Sequence, residues 1–171
     1  MNRLATGSAT ARAGTALLAG LSLVTACSVG PQRSQNGDRE VTITAREGNR
    51  RLLAIQADTE AMIGRKFTTY QASSGPENCE RPDGSDGFSF FIPGRKATID
   101  ADPPDLVTQI DTFWRAKGLT VLRSGPIGND NDLYEVAAVT ADHGSLIANL
   151  GRKTKILAIS GETGCAKEVG T

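Results

Sequence analysis

Leu133-Tyr134-Glu135-Val136-Ala137-Ala138-Val139-Thr140, Asp142-His143-Gly144, Ser145-Leu146-Ile147-Ala148-Asn149 and Lys155-Ile156-Leu157-Ala158-Ile159-Ser160 are the stretches that decide the fold. Three runs rich in Val, Ile, Leu and Ala are separated by turn-forming residues, and Asp142-His143-Gly144 has the composition of a hairpin turn. Together they predict a meander of antiparallel strands. Upstream, Leu119-Thr120-Val121-Leu122-Arg123 adds a fourth strand, followed by a turn-rich loop from Ser124 to Asp132.

Before these strands comes a helix with clear boundaries. Asp102 suits the N-cap, Pro103 the first helical position, and Asp105 complements the positive end of the helix dipole. Leu106, Val107, Ile110, Phe113 and Trp114 form its apolar stripe, and Gly118 closes it. A Phe-Trp stripe could line a ligand groove, but at this spacing it reads as core. A first helix is predicted from Ala45 to Ile63: Thr44 and Glu47 match a capping box, Leu52, Ile55, Thr59 and Met62 share one face, and Gly64 supplies the stop. Between the helices, Lys66 to Gln71 reads as a strand, Ala72 to Gly87 as a loop, and Phe88 to Ile92 as a second strand. Pro93-Gly94 interrupts that strand, and Lys96-Ala97-Thr98-Ile99 reads as its continuation after a bend. The expected order is α-β-β-α-β-β-β-β: an α+β fold with two helices packed on one face of a mainly antiparallel sheet, occupying residues 41–171.

The 171 residues carry 19 basic and 19 acidic side chains, which argues against a nucleic-acid partner held by a basic face. The hydrophobic fraction of 39% and charged fraction of 22% are those of a globular chain. Five Phe, two Tyr and one Trp are too few for stacking platforms of single-strand binders.

Residues 1–26 contain no Asp or Glu. Arg3 and Arg12 precede the short apolar run Ala16 to Val24, the pattern of a secretory signal rather than a membrane span, which needs ~20 apolar residues. The run ends in Val24-Thr25-Ala26-Cys27, an aliphatic residue, two small ones and a Cys, which resembles a bacterial lipobox. In such signals the Cys thiol is lipidated and cleavage before it makes Cys27 the new N-terminus. Two acyl chains, at ~0.8 kcal/mol per buried CH₂, hold a protein on a membrane where one does so only marginally. An ordinary cleavage leaving an incidental Cys is the plainer alternative. Processing would take away two Arg and no acid, giving a mature charge of −2. Residues 27–40 are polar and aperiodic, as expected of a lipidated, flexible tether.

With Cys27 assigned to lipid, Cys79 and Cys165 remain, and an oxidising compartment favours their pairing as a disulfide. Closing so long a loop contributes ~4–5 kcal/mol in the chain-entropy picture. Two free thiols and metal ligation are the alternatives, and for the latter neither Cys has a Cys or His partner at zinc-site spacing.

No catalytic constellation stands out. His143 is the only His and falls in a turn, with no G-x-S-x-G elbow beside a serine. A Cys-His nucleophile would need Cys79 or Cys165 reduced. Asp100, Asp102 and Asp105 gather where helix capping explains them. Asp83-Gly84-Ser85-Asp86-Gly87 and Asp130-Asn131-Asp132 could suggest calcium but lack the loop that ends in Glu. Gly125-Pro126-Ile127-Gly128 lacks the spacing and Lys of a phosphate loop. Arg50-Arg51 and Arg152-Lys153 read as solvated faces and turns. No cofactor or metal is expected, and no catalytic residue is assigned.

The lipobox, the leading helix, the Cys in the loop after the first strand, the Pro-capped helix ending at Gly118, the Tyr134 strand and the Ile156-to-Cys165 segment together resemble the LppA-type lipoproteins of mycobacteria and related actinobacteria. The resemblance implies an anchored envelope protein with an intradomain disulfide, and it brings no catalytic residues with it. The expectation is therefore a non-enzymatic lipoprotein on the extracytoplasmic face of the cell membrane. It would bind an envelope protein, a wall polymer or a lipid-like ligand. The rival readings are a hydrolase with hidden carboxylates and a carrier of apolar ligands, the latter needing a hollow helix–sheet interface.

Overall fold

A computed structural model describes residues 43–128 and 132–170. The signal segment 1–26, Cys27, the tether and Asp130-Asn131 lie outside the described residues.

The first helix, α1 (Ala45–Ile63), begins and ends where local chemistry dictates. Thr44 Oγ1 accepts from the Glu47 amide at 3.2 Å, and Gly64 adopts a left-handed φ of 69°. The capping box is only half made, because the Glu47 carboxylate pairs with Arg50 at 2.6 Å. The chain's own C-terminal segment serves the remaining first-turn amides: Ala45 N–H donates to Glu168 O and Arg46 N–H to Val169 O, both at 2.9 Å. In α2 (Pro103–Ala116), Asp102 holds the N-cap position with extended backbone but makes no side-chain cap bond. The helix closes at Gly118, φ 84°, with Leu119 N–H reaching back to Trp114 O at 3.0 Å.

Strands β1 (Thr68–Gln71), β4 (Phe91–Thr98), β5 (Thr120–Ile127), β6 (Leu133–Val139), β7 (Ser145–Gly151) and β8 (Ile156–Glu162) form one sheet in the order β1-β4-β8-β7-β6-β5, every neighbour antiparallel. α2 carries the chain from the β4 side to the β5 edge. The meander then returns until β8 pairs with β4. The expected fold class and the order of helices and sheet strands are what the structure has.

The differences are local. The stretch 72–87 contains strand β2 (Glu77–Glu80), which pairs with β3 (Asp86–Ser89) in a separate two-stranded ribbon. The run 88–92 is therefore split at Phe90, its halves serving different sheets. Pro93-Gly94 does not end β4, because the register shifts between Ile92 and Arg95 and a bulge needs no ladder amide from Pro93. Likewise β5 continues through Gly125-Pro126, tolerated because β5 is an edge strand.

Both helices pack on one face of the sheet. Leu52, Ile55, Ile110 and Trp114 from the helices meet Val136, Leu146, Leu150, Leu157 and Ile159 from the strands. Trp114 is fully buried, and its indole N–H donates to Thr59 Oγ1 at 3.0 Å. That hydroxyl in turn donates to Ile55 O at 2.7 Å, so the two helices are joined by a satisfied polar bridge inside the apolar layer. Trp114 is thus a core residue, as the stripe suggested. Phe113 is half-buried beside it, with Lys117 Nζ 5.2 Å from its ring centre.

Trp114→Ala should lower the unfolding free energy by ~3–5 kcal/mol, read from urea denaturation. Thr59→Val, which keeps the shape but strands the indole N–H, should lower it by ~1–3 kcal/mol. An unchanged midpoint for both variants would show that this bridge does not hold the helices.

Candidate functional site

The face of the sheet away from the helices carries charges on β5 and β6, where Arg123 meets Glu135 at 3.1 Å, but its rows across β7 and β8 are made mostly of short or apolar side chains. Its central rows set Ala137 opposite Ile147 and Ile147 opposite Ser160, while Ser145, Glu162 and Phe91 align across β7, β8 and β4. At the β1 end of this face the side chains surround a concavity of about 230 Å³ lined by Gln71, Phe91, Ser145, Ile147, Ser160 and Glu162.

Gly161 is part of its lining, and Gly94 lies in the adjoining pairing of β1 with β4. A Cβ on Gly161 would lie 2.2 Å from Ser145 O, so glycine lets β8 and β7 approach closely here. A Cβ on Gly94 would meet the Tyr70 ring at 2.6 Å, where β1 pairs with the bulged part of β4.

Glu162 is held from behind. The buried Ser89 donates to Glu162 Oε1 at 3.0 Å. Ser89 ends β3, and the next residue is locked to the segment after β8. Phe90 N–H donates to Thr163 Oγ1 at 2.9 Å, and Thr163 N–H donates to Phe90 O at 2.9 Å. Phe88 and Ala166 exchange a pair of backbone bonds at 2.8 and 2.9 Å. The sulfurs of Cys79 and Cys165 are bonded, with Cα atoms 6.0 Å apart, and this bond fastens β2 to the same segment. There is no room to spare at the crossing, since a Cβ on Gly87 would be 2.6 Å from Cys165 Sγ.

Two further concavities are differently made. One of about 290 Å³, beside α1, is lined by Leu53, Gln56, Glu60, Thr69 and Arg95. Its polar groups are already engaged: Arg95 Nε and Nη2 donate to Glu60 at 2.9 and 3.0 Å, Nη1 to Thr69 at 2.8 Å, and Gln56 Nε2 to Pro93 O at 2.8 Å. Donating to the Glu60 carboxylate raises the Arg95 pKa above its ordinary value. Another, of about 140 Å³, contains the Arg65–Asp100 pair at 3.3 Å. Each of the three concavities contains a single acid.

The residues weighed for chemistry in the sequence are dispersed. His143 is exposed at the β6–β7 turn with φ 63°. Asp83 closes the β2–β3 turn, accepting from the Ser85 hydroxyl at 2.6 Å and its amide at 3.0 Å, bonds that lower its pKa. Arg51 faces Asp142 at 3.6 Å, and Arg152 lies 5.9 Å from the centre of the Tyr134 ring. Among the described residues no group of three or more His, Cys, Asp or Glu is placed to hold a metal ion. Nor is any described helix long and apolar enough to cross a membrane. The concavity-lining residues were not singled out by sequence. The available signal was the outward positions of β7 and β8, where Ser145, Ile147, Asn149, Ala158 and Ser160 are uncharged.

No family model matches the chain, and no curated protein does. Its structure is similar to the crystal structure of a DUF4853 family protein from Actinomyces odontolyticus, with a TM-score of 0.53 at 11% identity over 75% of this chain and 72% of that one. The likeness is one of fold, shared with a protein from an actinobacterium.

Cys165→Ser should cost ~2–5 kcal/mol of stability in denaturant unfolding, and dithiothreitol should bring the parent chain to the same midpoint. Equal stability of oxidised and reduced parent protein would refute this.

Proposed function

We propose that the chain is a cell-envelope lipoprotein, related to the LppA-type lipoproteins of actinobacteria and anchored through a lipidated Cys27. The domain is carried outside the cytoplasmic membrane and binds rather than catalyses. For the anchor, the support is Val24-Thr25-Ala26-Cys27 placed directly after a short apolar run behind Arg residues. For the binding role, the carrying observation is the concavity on the open sheet face, where several polar side chains converge around Phe91 and Ile147 with one carboxylate among them. Hydrolysis by a carboxylate pair uses a second acid roughly 5–9.5 Å from the first, and among the described residues lining the concavity Glu162 is the only acid. The space between helices and sheet is filled by Trp114, Leu52, Ile110 and their strand partners, all at most 1% exposed, which leaves the carrier reading without its cavity there. The partner is then an envelope protein or a wall polymer met at the surface.

Cells fed a radiolabelled fatty acid should label the parent protein and not Cys27→Ala, and the variant should leave the membrane fraction or accumulate uncleaved. Mature Cys27→Ala protein that still sediments with membranes, or a parent chain carrying no label, would overturn the anchor.

A further inference from the structure

Resting on the binding reading above, we propose that the concavity bounded by β1, β4, β7 and β8 is a subsite for a neutral polyhydroxylated ligand, one sugar ring of a glycan. The argument is one of unspent hydrogen-bonding capacity. The side chains of Gln71, Ser145 and Ser160 make no hydrogen bond to a described residue, and Glu162 spends only Oε1, on Ser89. An amide, two hydroxyls and a carboxylate thus present both donors and acceptors to the same space. In the neighbouring concavities the charged groups are committed to Glu60–Arg95–Thr69 and Arg65–Asp100 contacts, and Gln109 is the one amide left beside the latter pair among the described residues.

The chemistry of the lining selects among ligands. Among the described residues Glu162 is the one charged side chain lining the space and no cation joins it there, so a phosphate or carboxylate would meet repulsion with no compensating charge. A simple ammonium would satisfy Glu162 but leave both serines and the glutamine amide without partners. A purely apolar ligand would cover four polar side chains and pair none. A sugar ring has alternating hydroxyls that donate and accept, and an apolar C–H face suited to Phe91 and Ile147. The volume of about 230 Å³ is below that of drug-sized pockets, and it suits a single ring with the rest of a chain running over the open face. Ser89, held by the disulfide-bonded ribbon, fixes the rotamer of Glu162 in advance, which lowers the ordering cost of binding.

The full chain, isotopically labelled in detergent micelles, would be titrated with maltotetraose, cellotetraose, mannotetraose and xylotetraose while amide resonances are followed. At least one probe should give saturable shifts confined to the Ser145–Ile147 and Ser160–Glu162 amides. Phe91→Ala, Glu162→Gln and the milder Ser160→Ala should each weaken that binding, by roughly tenfold for the first two. Ile156→Ser, at the far end of the same face, should not. Retained resonance dispersion separates a lost contact from a lost fold. The proposal falls if none of the four saccharides gives saturable shifts at these amides, or if tetramethylammonium or inorganic phosphate does so and the saccharides do not. Loss of the sugar response in a chain that is still lipid-labelled at Cys27 would overturn this inference and leave the anchor standing. Saccharide bound here but cleaved through Glu162 would keep the ligand class and remove the non-catalytic reading.

Discussion

The segment from Thr163 to Ala166 is clamped to Phe88–Phe90, and the open face owes its geometry to this clamp. At that crossing the ribbon and the main sheet exchange partners: backbone bonds at Phe88 and Phe90, the Thr163 hydroxyl, and the Cys79–Cys165 bond all converge within a few residues. The crossing admits no added bulk, as Gly87 shows by lying against Cys165 Sγ and Ala166 O. Of these only the disulfide, joining residues 86 apart in sequence, restricts the unfolded chain, and in the chain-entropy picture it stabilises by that restriction. The same contacts place Ser89 behind Glu162, so one constraint both secures the fold and orients the acid of the concavity.

The core supplies a second, independent anchor. β-Sheets with one covered face fix their register strongly, because a slip by one residue turns every apolar side chain outward. Here Leu146, Ala148 and Leu150 on β7 and Leu157 and Ile159 on β8 are buried, while Ile147 and Ser160 between them face the other way. Trp114 joins α2 to α1 through Thr59, so that the layer covering the sheet behaves as a unit. The outward residues are then free to be chosen for something other than packing.

Much of this was legible in the sequence, and the reason is locality. Thr44, Gly64, Pro103 and Gly118 act on their own few residues, and both helices begin and end there. The meander from Leu133 to Ser160 is announced by turn residues between apolar runs. What escaped depends on distant partners. Phe88 to Ile92 has the composition of one strand, and only contacts with Ala166 and Thr163 divide it at Phe90. The Glu47 carboxylate had two possible partners, and a nearby Arg50 prevailed over the backbone amide of Thr44. The concavity draws ordinary residues from four strands, and the alternation of Ser145 with Ile147 and of Ser160 with Glu162 marks an outward face without saying that β1 and β4 complete it.

The bonds from the Ala45 and Arg46 amides to Glu168 and Val169 carry a topological consequence. They bring the entrance and exit of the domain to one corner, beside the N-terminal turn of α1. The first turn of α1 and the last described residues are thus mutually dependent, so that fraying of the 168–169 segment would leave two helix amides without acceptors.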